Sequence, residues 1–194
     1  MRKFVIVGIV LLISSCGLKK EKQLQIENSI REEYMQKGKE VVTVTQAELL
    51  KNVAGAIQEG GPGYAIDFCN LRAFPIKDSL SEIYDCKIQR IAVKYRNEAD
   101  KPQTENEIKQ LALYENSHEQ GDTLEPVIYL LDDRVEYYHP ILINNGACLL
   151  CHGSTELHIA EETMEKIKER YPNDLATGFA FNDFRGSWKI TFQK

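Results

Sequence analysis

Residues 144–154, NNGACLLCHGS, place two cysteines and a histidine in the order Cys148, Cys151, His152. This C-x-x-C-H pattern is typical of covalent c-type haem attachment, in which both thiols join the porphyrin and the adjacent imidazole binds iron. A redox dithiol or half of a zinc site would also explain C-x-x-C, but the sequence has no second C-x-x-C. We therefore predict one covalent haem c, with Cys148 and Cys151 as thioether residues and His152 as an axial ligand.

The rest of the chain has the composition of a globular protein. Its 194 residues favour one domain with appendages, and 43% hydrophobic with 27% charged residues argues against a disordered or fibrous chain. The net charge of −5 lacks the basic excess that nucleic-acid binding needs, so no nucleic-acid partner is expected.

The N-terminus has the pattern of an export signal. Two basic residues are followed by an apolar run over residues 4–13 and then by Ser14, Ser15 and Cys16, which predicts a signal peptide over residues 1–15. The end of this stretch also resembles the lipobox of bacterial lipoproteins, in which the cysteine is lipidated; a plain signal peptide with an incidental cysteine is the alternative. With Cys16 lipidated, we expect an exported bacterial lipoprotein anchored to a membrane and facing the periplasm or the cell surface.

After the signal peptide, the pattern of charged and apolar residues changes between residues 44 and 45. Residues 16–44 are charged and helix-favouring, and predict a lipid-anchored tether or helix. Thr45 and Glu48 form a possible capping box before apolar positions with helical spacing in residues 49–57. One long helix that runs from about Ile26 through residues 41–44 is an alternative. In either case, glycines and a proline in residues 60–63 are predicted to end the helix.

Residues 45–194 combine strand and helix patterns. Alternating apolar residues predict strands in residues 87–95 and 178–193 and a hairpin around Asp132 and Asp133. Helical patterns cover residues 104–116, with Thr104 as the cap, and residues 160–170. Because helices and strands alternate irregularly, we predict an α+β fold with an antiparallel sheet flanked by helices, preceded by an N-terminal helical extension.

Four sequence blocks resemble a family of exported bacterial haem domains, found alone or at the sensor end of signalling proteins. The blocks are AIDFCNLRAFPI (65–76), IQRIAVKYRNEADKP (88–102), YHPILINNGACLLCHG (138–153) and TGFAFNDFRGSWKITF (177–192). The resemblance covers roughly residues 49–192. It implies a PAS-like α+β fold with one covalent c-type haem and histidine/cysteine axial ligation.

The residues themselves offer several candidates for the second axial ligand. The candidates are Met35, Met164, His118, His139, His158, Cys69 and Cys86. Cys69 lies on the apolar face of a predicted helix, where a buried structural cysteine or a disulfide to Cys86 would also fit. The family resemblance implies that Cys69 is the distal ligand.

The resemblance also implies haem-pocket contacts from Arg90, Arg96 and Asn97. Glu98 and Asp100 stand where the family pattern has a proline and a second asparagine. The resemblance therefore does not extend to the conformation of this loop.

Histidine/cysteine ligation favours a non-catalytic role. A thiolate opposite histidine lowers the reduction potential of haem iron, and filled axial positions leave no site for peroxide. We therefore expect a membrane-anchored redox or diatomic-gas sensing domain that is not an enzyme and acts on a redox or signalling protein partner. The alternative is a periplasmic electron-transfer cytochrome c whose distal ligand is His139 or Met164.

Overall fold

The structure is a computed structural model that describes residues 14–194, except for the side chains of residues 14–19 and 72–74. Most of the predicted signal peptide, residues 1–15, therefore lies outside the described residues, as does the side chain of Cys16. Within residues 14–194, no helix is both long enough and apolar enough to span a membrane.

The described chain forms five helical elements and four strands. The helices are α1 (Ser14–Ile83), a 3₁₀ turn (Glu98–Asp100), α2 (Glu105–Glu119), α3 (Gly146–His152) and α4 (Glu161–Arg170). The strands are β1 (Lys87–Ile91), β2 (Val127–Leu130), β3 (Arg134–Leu142) and β4 (Phe184–Gln193). They pair antiparallel in the order β1-β4-β3-β2. The predicted α+β, PAS-like sheet flanked by helices is confirmed, together with the N-terminal helix.

Alternating side chains give the sheet two buried faces, because successive residues of a strand point to opposite sides. On one face Tyr137, Trp188 and Ile190 pack with α1. On the other face Tyr138 packs with Leu111 of α2. The predicted hairpin is β2–β3, and the capping box at Thr104 is present, with its hydroxyl accepting from the Glu107 N–H.

Helix α1 is longer than the sequence pattern indicated. Gly61 adopts a non-helical conformation, φ 80° and ψ −178°, that only glycine reaches without strain, so the predicted break in residues 60–63 appears as a kink. The alternative of one long helix from about Ile26 up to this break describes the segment better than a start at Thr45, and helical structure resumes after the kink as far as Ile83. The predicted cap at Thr45 is wrong: this residue is 0% exposed inside α1, and its hydroxyl has no hydrogen-bond partner among the described residues.

The α1 segment before residue 45 packs directly on the sheet. The rings of Tyr34 and Phe192 have centroids 5.2 Å apart, and Val41 is 1% exposed. Gly38 allows the closest approach, since a Cβ placed there would lie 2.4 Å from Cγ of Tyr137. The packing therefore crosses the expected boundary between tether and domain at residues 44 and 45.

Candidate functional site

A cavity of about 570 Å³ lies between α1, the sheet and α3. Its size is within the range of about 300–1,000 Å³ that is usual for small-molecule and cofactor sites. Apolar side chains form much of the wall, among them Leu49, Val53, Ile57, Ile66, Ile143 and Trp188. The cavity can therefore hold a large and mainly apolar ligand.

Helix α3 carries the C-x-x-C-H motif to the edge of this cavity. The Asn145 side chain caps the helix by accepting from the Ala147 N–H at 2.9 Å. Cys148 and Cys151 are three residues apart, so they share one side of the helix, and both line the cavity with His152. Both thiols are free, and no described residues form a cluster of three or more potential metal ligands. The zinc alternative thus finds no support in the described part of the chain.

The imidazole of His152 is oriented by the main chain. Its Nδ1 lies 2.8 Å from the carbonyl oxygen of Ala176, and because a carbonyl only accepts, Nδ1 carries the proton. Burial, followed by the charges of Arg185 and Arg96, lowers the pKa of His152 well below its ordinary value of 6.5. The ring is therefore neutral with an unprotonated Nε2, the arrangement of histidines that bind metals in proteins.

Arg96 ties the motif to the segment that orients His152. Its Nε and Nη2 donate to the two carboxylate oxygens of Asp174 at 3.1 and 3.2 Å. The same Nη2 donates to the carbonyl oxygens of Cys151 at 2.7 Å and Ala176 at 3.1 Å. Arg96 lines the cavity, as expected for a pocket residue, but its contacts within the protein are structural.

Arg90 and Asn97 also line the cavity. Arg90 donates from Nε and Nη2 to Oδ2 of Asp100 at 3.2 and 3.0 Å, and Lys77 Nζ lies 3.9 Å from the same carboxylate. The side chain of Asn97 accepts from the Ala99 N–H and caps the 3₁₀ turn. Asp100, which departs from the family pattern, thus forms the loop's ion pair with Arg90.

Among the candidates for a second ligand, Cys69 lines the cavity. It lies in α1 after the kink at Gly61. Burial raises the pKa of its thiol, while the charges of Arg90 and Arg96 act in the opposite direction. Cys69 and Cys86 are both free, so the alternative of a disulfide between them is not realised.

The other ligand candidates occupy different places. Cys86 and Met35 pack against the core on the α1 face of the sheet. Met164 packs with Ile66, Ile159 and Ile167, His139 Nδ1 is 3.0 Å from the Tyr137 hydroxyl, and His158 accepts from the Ser154 N–H. His118 lies in the last turn of α2. None of these residues lines the cavity.

Sequence reasoning missed three cations of the cavity, Lys51, Lys77 and Arg185. Arg185 lies on strand β4, is 5% exposed and lines the cavity with Trp188 of the same strand. Its Nη1 donates to the carbonyl oxygen of Lys94 at 3.0 Å. The available signal was an arginine at the start of a strand with alternating apolar residues, within the block of residues 177–192.

The residues of the cavity match the chemistry of a haem. Two thiols and a neutral imidazole face one apolar space. Its lining also contains cations that can bind anionic groups, namely Lys51, Lys77, Arg90, Arg96 and Arg185. The fold and site thus define a PAS-like α+β domain with a cavity suited to a large, partly anionic cofactor.

The chain belongs to the Tll0287-like family, whose model, described as Tll0287, matches residues 18–193. The crystal structure of the cyanobacterial heme-protein Tll0287 is similar in fold, with a TM-score of 0.58 and 24% identity, over 79% of this chain and 92% of that chain. No protein of curated function shows significant sequence similarity to this chain. The family membership that the four blocks indicated is confirmed.

Proposed function

We propose that this protein is a monohaem c-type cytochrome in which Cys148 and Cys151 form the thioether bonds and His152 is one axial ligand. The observation that carries the proposal is the hydrogen bond from His152 Nδ1 to the Ala176 carbonyl, 2.8 Å long, which leaves Nε2 free on a ring that faces the same cavity as both thiols. The similarity to the cyanobacterial heme-protein Tll0287 supports the same cofactor.

Cys69 is the second axial ligand in this proposal. It is the residue among the seven sequence candidates that lines the cavity. Burial raises the pKa of its thiol, and the charges of Arg90 and Arg96 act in the opposite direction, so bound iron would have to stabilise the thiolate. A thiolate opposite an imidazole places the reduction potential low within the range of haem proteins.

The chain's own side chains then take both axial positions, which supports a non-enzymatic role. Bound haem would supply a one-electron ferric/ferrous couple. We propose redox or diatomic-gas sensing, with the signal passed to a redox or signalling protein, on a membrane to which Cys16 is lipid-linked. The electron-transfer alternative with His139 or Met164 as ligand is less well supported, because neither residue lines the cavity.

The test of haem attachment is extraction of the purified protein with acidified acetone, followed by absorption spectroscopy. We expect the haem to remain with the chain of the native protein. The double variant Cys148→Ser/Cys151→Ser should release it, whereas Cys86→Ser, in the core and away from the cavity, should retain it. Complete extraction of haem from the native protein would refute covalent attachment.

The test of the non-enzymatic role is the binding of cyanide and peroxide to the resting ferric protein. We expect neither to change the spectrum on mixing at millimolar concentration, because His152 and Cys69 occupy the axial positions. Rapid binding with peroxide turnover would instead indicate an enzyme.

Lipidation is tested separately by metabolic labelling with a fatty acid, in which Cys16→Ser should abolish the label.

A further inference from the structure

Arg185 has an unusual environment for a charged side chain. It is 5% exposed, its Nη1 donates to the Lys94 carbonyl, and its Cζ lies 5.3 Å from the ring centroid of Phe179. Its Nε and Nη2 are also buried, and neither has a hydrogen-bond partner among the described residues. Buried polar groups are nearly always paired, so two neighbouring donors without a partner indicate a ligand.

Those two atoms form the edge of guanidinium that binds carboxylates. In this cavity Arg96 uses its Nε and Nη2 to hold Asp174 at 3.1 and 3.2 Å. Arg90 uses the same pair of atoms to hold Asp100 at 3.2 and 3.0 Å. Arginine–carboxylate pairs of this forked kind are strong and directional. Arg185 presents the same edge without an acidic side chain opposite it among the described residues.

The charge balance of the cavity points to an anionic ligand. The lining contains the cations Lys51, Lys77, Arg90, Arg96 and Arg185, and Asp100 is its one acidic residue among those described. Burial, followed by the charges of Arg90 and Arg96, lowers the pKa of Arg185 to about 9. A buried cation without a counter-ion is costly, and an anion bound at Nε and Nη2 would offset that cost.

We propose that the Nε/Nη2 edge of Arg185 binds a carboxylate of the porphyrin held in this cavity, as Arg96 binds Asp174. The inference rests on the proposed haem function and deepens it, because it assigns a recognition residue for the anionic side of the cofactor. Phe179 and the Lys94 carbonyl hold the guanidinium in place for this role.

The test uses the full chain prepared without haem and the metal-free mesoporphyrin IX, which has no vinyl groups and no iron. Thioether formation and iron ligation then contribute nothing to binding. Fluorescence titration compares the diacid with its dimethyl ester. We expect the native chain to prefer the diacid by about 10- to 100-fold, as for a hydrogen-bonded charge pair. Arg185→Gln should lose most of this preference while its affinity for the ester is unchanged.

Two further variants make the result specific. Arg185→Lys keeps the charge but lacks the forked edge, so its preference should fall between those of the native chain and Arg185→Gln. Arg31→Gln, an exposed arginine of α1 that pairs with Glu27, should keep the full preference. Circular dichroism establishes whether each variant is folded. If Arg185→Gln does not fold, the diacid preference of Arg185→Lys, compared with that of the native chain, provides the test.

Three outcomes would overturn the inference. Retention of the diacid preference in Arg185→Gln would show that another residue binds the carboxylates, while the haem proposal would stand. The diacid and the ester could bind equally, while inorganic phosphate raises the melting temperature of the native chain but not of Arg185→Gln. That result would show that the site binds a free anion. If neither porphyrin binds and the attachment test finds no haem in the native protein, the haem proposal is refuted as well.

Discussion

Nδ1 of His152 lies 2.8 Å from the carbonyl oxygen of Ala176, and the same oxygen accepts a hydrogen bond from Arg96 at 3.1 Å. Arg96 is in turn held by Asp174, with side chains 6% and 5% exposed. The orientation of the imidazole thus depends on a buried ion pair that brings residues 96, 151, 174 and 176 together.

Asp174→Ala should therefore weaken both the fold and the site. Removing one partner of a buried pair leaves the other charge unpaired, which costs about 3–5 kcal/mol. Urea unfolding measures the loss, and we expect the ferric absorption of haem-loaded protein to shift because His152 loses its fixed acceptor. Asp67→Ala breaks the more exposed pair with Arg170 and serves as the control. An equal loss in the two variants would contradict the prediction.

Gly153, directly after the haem motif, should not tolerate a side chain. A Cβ there would lie 2.7 Å from His158 Cβ and 2.7 Å from the Leu149 carbonyl oxygen. Gly153→Ala should cost about 1–3 kcal/mol by overpacking and lower the yield of covalent haem. Gly146→Ala is the matched control in α3, since a Cβ there meets nothing within 4 Å; a normal haem yield in Gly153→Ala would show that the segment can relax.

Cys69 and Cys86 should respond differently to the same substitution. In the haem-loaded protein, Cys69→Ala should change the ferric spectrum and allow cyanide to bind, because it removes the proposed axial sulfur. Cys86→Ala should leave the spectrum unchanged, since Cys86 packs in the sheet core and does not line the cavity. Identical native spectra in both variants would rule out Cys69 as a ligand.

A buried charge network on the α2 face of the sheet should make stability depend on pH. Lys189 Nζ lies 2.8 Å from Glu107 and 3.1 Å from Glu136. Burial raises the pKa of each carboxyl, but hydrogen bonds, including those from Lys189, outweigh it and leave both below the ordinary 4.5. Because these folded-state pKa values are depressed, their contribution is present above about pH 4.5 and is lost as pH falls through them.

Lys189→Met should weaken this dependence. Glu107 keeps the hydrogen bonds from the Gln103 and Thr104 N–H groups, and Glu136 keeps those from Arg134 and Tyr138, but both lose the ammonium that helps to lower their pKa values. The loss of stability as pH falls below about 4.5 should therefore be smaller than in the native protein. At pH 7 we expect a loss of about 3–5 kcal/mol. Urea unfolding between pH 7 and about pH 3 measures both effects, with Lys37→Met, in an exposed helix pair, as control. An acid-induced loss of stability as large as that of the native protein would contradict the assigned network.

Two glycines of α1 test how far the helix packs on the sheet. Gly38→Ala places a Cβ 2.4 Å from the Tyr137 ring and should destabilise the protein by about 1–3 kcal/mol. Gly55→Ala meets nothing within 4 Å and should stabilise it by about 0.5–1 kcal/mol through helix propensity. Thermal unfolding distinguishes the two. A neutral Gly38→Ala would show that α1 does not press on the sheet at this point.

Much of the local structure could be predicted from the order of residues. Residues 148–152 have the spacing of a haem-attachment motif, Thr104 caps the helix that follows it, and the alternating apolar residues of β4 mark a strand of the sheet. The family blocks correctly indicated the Tll0287-like family. The signal peptide, the lipidation of Cys16, the thioether roles of Cys148 and Cys151 and the axial roles of His152 and Cys69 stay predictions.

The errors have a common physical cause, which is that tertiary packing overrides local signals. Thr45 and Glu48 have a capping pattern, yet α1 runs through them because Val41 and Val42 are buried against the sheet.

The sequence alone predicted the cofactor chemistry of Cys148, Cys151 and His152 and determined the α+β fold class, because both depend on short-range spacing and periodicity. Tertiary structure decided which distant residues face them. It brought Cys69 into the cavity and placed Cys86 in the core, paired Arg96 with Asp174, and left the Nε/Nη2 edge of Arg185 without a described partner. These relations join residues far apart in the chain, and the packing of α1 on the sheet and of α3 on Ile143 and Ala176 brings them together.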